Sequence, residues 1–129
     1  MRSLLILSAI LSAAALAQPA PLRQFIYRLE PVRKDFTLQN ITEAERPIVM
    51  EHAAYLKSLT EAGKLPVAGQ AFDPAGFWGF VVITAPDAET AGAMFNADPA
   101  VKSRMFRGAV VPFRLVFYRP PEPGAAPNR

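Results

Sequence analysis

Residues 77–84, FWGFVVIT, are apolar on both sides of what must be a strand: Phe77, Val81 and Ile83 alternate with Trp78, Phe80 and Val82. Side chains two apart share a face of a strand, so a segment apolar in both registers has to be covered on both faces. That requirement places it inside a sheet with a layer over each side. The preceding Phe72-Asp73-Pro74-Ala75-Gly76 is dense in turn-forming residues and separates it from an earlier strand.

The other strands follow from alternation. In residues 23–32, Phe25, Tyr27 and Leu29 alternate with Gln24, Ile26 and Arg28. Residues 65–71 form a short second strand containing Pro66. Beyond Gly108, Val111, Phe113, Leu115 and Phe117 alternate with Pro112, Arg114, Val116 and Tyr118. Proline has no N–H for a ladder, so the second and fourth strands belong at sheet edges. Helical periodicity covers residues 42–63. A second helix starts at Pro86-Asp87 and runs to Phe95 with Ala88, Ala91 and Phe95 inward, and a further turn or two lies within 100–106. The order β-α-β-β-α-β with these edges predicts an α+β fold, a ferredoxin-like antiparallel sheet in spatial order 4-1-3-2. Two helices cover one face only, so a second copy of the chain is expected over the other, as a homodimer.

His52, the only histidine, shares a helix face with Ile48, Tyr55, Leu56 and Leu59, which turns the imidazole inward. Thr42 and Glu45 have the spacing of a capping box, and Gly63 stands where a helix-ending glycine is expected. Pro47 fits if the regular helix begins near Glu45 or Arg46. Residues 33–40 are charged and polar apart from Phe36 and Leu38 and read as a connection.

At the amino terminus Arg2 precedes an uncharged apolar run over residues 4–16, closed by Ala15-Leu16-Ala17. This is the pattern of a secretory signal peptide, cut after Ala17, and the run is shorter than the roughly 18 residues a membrane span needs. The organisation expected is signal peptide 1–17, leader 18–22, folded domain 23–119 and a disordered proline-rich tail 120–129. The mature protein is expected in the periplasm or secreted, with no membrane attachment. Of 14 basic and 11 acidic residues one basic residue leaves with the signal, so the balance gives no nucleic-acid footprint. One histidine and no cysteine cannot build the usual zinc or transition-metal site. No phosphate-cradling glycine loop or nucleophile elbow occurs, and no cofactor is expected.

Five features in order carry a resemblance: the helix with His52 and Tyr55-Leu56, the following Gly63-Lys64-Leu65, Ala68-Gly69, Gly79-Phe80, and Ala97-Asp98-Pro99-Ala100-Val101. Over about residues 24–118 the chain resembles the YCII-related domain family. The resemblance implies the dimeric α+β barrel fold and a histidine–aspartate pair as active site, here His52 and Asp98. Some members of the family are small presumed enzymes, one of them a dehydrochlorinase of chlorinated aromatic breakdown. An imidazole exchanges protons near neutral pH, and a carboxylate on its second nitrogen fixes the tautomer. Two functions are therefore expected to compete. One is a cofactor-independent lyase or isomerase moving a proton on a small organic molecule. The other is a non-catalytic binding or accessory protein of the same fold. In the plain structural alternative His52 is a core histidine and Asp98 starts the turn before Pro99. Asp73 reads as a turn residue first, and Lys102, Arg104 and Arg107 either as a solvated helix face or as a basic cluster able to attract an anion toward Asp98.

Overall fold

The computed structural model describes residues 20–120 and 123–124. The signal peptide expected at residues 1–17, and most of the tail expected at 120–129, lie outside the described residues. The elements are β1 (Arg23–Pro31), α1 (Glu45–Glu61), β2 (Val67–Asp73), β3 (Gly76–Ala85), α2 (Ala88–Ala97), α3 (Pro99–Lys102) and β4 (Phe106–Phe113). All pairings are antiparallel and the sheet order is β2-β3-β1-β4, the predicted arrangement.

The helices lie over one face. Phe25, Tyr27, Leu29, Val81 and Ile83 point into it and are buried, together with Ala91 of α2 and Ala100 of α3. α2 packs on β1, β3 and β4, whereas the closest backbone neighbour of α1 is α3 rather than the sheet. Ala88, expected inward, is exposed at the start of α2, where Asp87 caps the Thr90 N–H at 2.7 Å. On the opposite face the register brings together Ile26, Trp78, Phe80, Val82 and Val111, with the Arg28 guanidinium 4.4 Å from the Trp78 ring centre.

Two edges differ from the sequence expectation. Pro66 precedes β2 instead of lying in it, so this strand is an edge for reasons of topology alone. β4 begins at Phe106, ahead of Gly108, and Leu115 and Phe117 fall beyond its end. Gly108 is an interior strand residue opposite Leu29, and a Cβ there would run into the Arg28 carbonyl oxygen. It serves close approach of two strands, not entry into one.

The capping box forms one turn ahead of α1: the Thr42 N–H donates to Glu45 Oε2 at 2.9 Å and the Glu45 N–H to Thr42 Oγ1 at 3.2 Å. Pro47 then sits in the first turn, where its missing N–H costs no helical bond. At the far end Gly63 adopts φ 68°, the Gly63 N–H reaches the Thr60 carbonyl and the Lys64 N–H the Leu59 carbonyl, which together close the helix in a Schellman motif.

Residues 33–40, expected to be a plain connection, are instead organised by Arg33. Its guanidinium grips both Glu45 oxygens at 2.8 Å, Asp35 at 3.2 Å and Asn40 at 3.1 Å. The loop so held presses Phe36 into the core, where its ring meets Phe77 and Phe106.

Arg33 also holds the Glu45 carboxyl down to about 2 from an ordinary 4.5. A carboxylate depressed by folding contributes stability that is complete above its unfolded pKa and is lost as pH falls through the folded value. Thermal melts of wild type and Glu45→Gln should therefore differ most above about pH 4.5, and the difference should shrink toward pH 2. A difference independent of pH over that window would show that the ion pair does not support the loop.

Candidate functional site

Asp98 follows α2 and caps α3, with Pro99 at the first helical position. Its side chain is fully buried. Oδ1 accepts the Ala100 N–H at 2.9 Å and faces His52 Nδ1 at 2.7 Å, while the Tyr27 hydroxyl donates to Oδ2 at 3.4 Å. The turn role and the partnership with His52 thus belong to the same carboxylate. Tyr27 had no motif around it. The one available clue was its place on the inward side of β1, since a buried tyrosine needs a partner for its hydroxyl. Burial first, and then the charge of Asp98, push the Tyr27 hydroxyl far up, so it remains a donor. Tyr55 is raised by the same two causes and donates to the Met94 carbonyl at 2.7 Å, tying α1 to α2.

His52 reaches Asp98 from α1 with its side chain 16% exposed, and its ring stands edge-on to Phe106 at 6.0 Å. It also lines a cavity of about 350 Å³ between α1, the 33–40 loop and the β2–β3 half of the sheet. Leu29, Phe36, Leu38, Leu56, Phe77 and Phe106 give the cavity apolar walls, and Gly79 opens its floor. A Cβ on Gly79 would meet only the Gly69 carbonyl, at 3.4 Å, so the space there is real room left by a missing side chain. Only His52 and Gln70 bring polar side chains to the lining, and Gln70 was not anticipated.

With Nδ1 engaged by a carboxylate, the neutral ring carries its proton on Nδ1 and leaves the Nε2 lone pair for a molecule in the cavity. No partner of Nε2 occurs among the described residues. Such a nitrogen can take a proton from a bound molecule, the buried carboxylate stabilising the imidazolium, and can return it. The remaining candidates fall elsewhere. Asp73 accepts the Ala75 N–H at 2.8 Å in the β2–β3 hairpin. Lys102, Arg104 and Arg107 are exposed and none lines the cavity, Arg107 instead lying 3.8 Å from Glu30. Among the described residues no group of three or more histidine, cysteine or acidic side chains is placed to hold a metal ion, and no helix is long and apolar enough to cross a membrane.

Nitrogen-15 NMR of the lone histidine should find, in the neutral form, a protonated Nδ1 and an unprotonated Nε2. The opposite tautomer would mean that Asp98 does not hold the ring as described.

Among solved structures, the chain resembles 5-chloro-2-hydroxyhydroquinone dehydrochlorinase from Burkholderia phenoliruptrix AC1100, a complex with 2,5-dihydroxybenzoquinone, at a TM-score of 0.55 and 18% identity. That likeness covers 70% of this chain and 93% of the other. An uncharacterized protein from Thermotoga maritima aligns at a TM-score of 0.44 and 15% identity, over 73% of this chain and all of the other. No curated protein matches the chain. The YCII-related domain family matches residues 26–114, nearly the whole span from β1 to the end of β4. The chain belongs to the YCII-related domain family.

Proposed function

We propose that this protein is a small cofactor-independent lyase or isomerase in which His52, oriented by Asp98, moves a proton on a small ring-shaped organic molecule held between α1 and the sheet. The observation that carries the reading is the 2.7 Å contact between His52 Nδ1 and a fully buried carboxylate, made by an imidazole that lines an apolar cavity. The dehydrochlorinase that shares this fold supplies a first substrate class to try, chlorinated hydroxyhydroquinones followed by chloride release.

His52→Ala is expected to lower turnover by about 10²-fold or more with the fold kept. Asp98→Asn preserves shape but cannot stabilise an imidazolium, and should lower turnover with little change in melting temperature. The alternative, a binding protein without turnover, is favoured if His52→Ala melts far below wild type and the two substitutions show no coupling in a double-mutant cycle.

The same reading includes export and pairing. The signal-like residues 1–17 support a periplasmic or secreted protein. The apolar residues Ile26, Phe80 and Val111, on the sheet face away from the helices, support a homodimer with its sheets face to face. Protein recovered from an exporting host should lack residues 1–17 by mass spectrometry and have a dimer's mass by light scattering. Retained Met1, or a monomer at micromolar concentration, would remove the corresponding part.

A further inference from the structure

The His52–Asp98 pair leaves one polar group of the cavity without a task. Gln70 pairs with Gly79, and Gly79 with Leu29, whose side chain is buried on the helix side, so Gln70 stands on the same face. It lies on the edge strand β2, on the sheet wall of the cavity, while His52 lies on the α1 wall. The polar side chains around His52 are all engaged: Asp98 by three donors, Tyr27 by Asp98, and Tyr55 by the Met94 carbonyl. The Gln70 side chain is exposed and makes no hydrogen bond to another described residue, so its two donors and one acceptor are open to a ligand. Between walls of leucine, valine, phenylalanine and glycine, it is the one side chain besides the imidazole able to recognise a ligand directionally.

We infer that Gln70 is a specificity-determining residue of this site. Its carboxamide hydrogen-bonds a polar substituent on the edge of the ligand remote from the atom that His52 addresses. The cavity then selects rings bearing polar groups at two separated positions over rings bearing one. An apolar cavity of about 150 Å³ holds benzene, so about 350 Å³ accommodates a six-membered ring together with its substituents. The inference rests on the reading that this cavity is where the substrate binds.

The test is a pair of titrations that need no turnover: hydroquinone and 4-methylphenol, which differ by one hydroxyl exchanged for a methyl, binding to the mature protein and to Gln70→Met. Wild type should bind hydroquinone about tenfold more tightly, the scale of one well-made hydrogen bond. In Gln70→Met the two affinities should come within about twofold of each other, through weaker hydroquinone binding with 4-methylphenol unchanged or tighter. An exposed side chain bonded to nothing should leave the melting temperature unaltered. Equal wild-type affinities, an unchanged ratio in Gln70→Met, or no binding of either probe at millimolar concentration would overturn the inference. Loss of the ratio in Gln70→Met in a protein that turns over nothing would remove the enzyme reading and leave the role of Gln70 standing.

Discussion

One buried carboxylate determines how the helical layer is assembled. Removing a charge from water is expensive unless hydrogen bonds replace the lost hydration. Asp98 obtains them from three elements at once: the Ala100 N–H of α3, the Tyr27 hydroxyl of β1 and the His52 ring of α1. Each donor fixes something larger than itself. Ala100 starts a single helical turn that could not persist alone, Tyr27 locks the carboxylate to the central strand, and His52 sets the rotation of the longest helix. Because Tyr27 keeps its proton, it stays a donor to Asp98 and does not become a second acid beside it. The ring nitrogen that Asp98 does not use is what makes this packing device chemically useful.

Much of the fold was written in alternation and punctuation, because those patterns follow from backbone geometry that tertiary contacts do not change. The two-sided apolarity of Trp78, Phe80 and Val82 against Phe77, Val81 and Ile83 placed β3 in the sheet interior, where it lies between β2 and β1. Gly63 and the Thr42–Glu45 pair bounded α1 closely. The misreadings concern residues whose roles depend on what lies across from them. Gly108 looks like a breaker from its neighbours, but it is needed because the Arg28 carbonyl lies where its Cβ would be. Phe36 sits in a charged stretch without periodicity, and only the bonds of Arg33 carry it into the core.

The site was legible to the same degree and for the same reason. His52 could be turned inward from helical spacing, and Asp98 was reached through the family resemblance, since the two are far apart in the chain. The third member of the network, Tyr27, and the second polar wall residue, Gln70, depend on strand register. Register is fixed by the sheet and not by the strand's own composition, most of all in β2, where Gly69 and two alanines among seven residues give little to align.

The cavity itself follows from how α1 is attached. Helices usually dock on sheets through apolar contact, which is non-directional and close-packs the two until little space remains. Besides the apolar packing of Leu59, Leu56 and Ile48, α1 carries three polar tethers of fixed length. Glu45 is held by Arg33 at its start, His52 by Asp98 in its middle, and Tyr55 by the Met94 carbonyl one turn later. All three partners lie outside the β2–β3 half of the sheet, and the main backbone neighbour of α1 is α3. On the floor Gly79 leaves no side chain to fill the gap. A space lined largely by apolar groups is thus bordered by hydrogen bonds, with His52 both one of the tethers and a group that faces whatever enters.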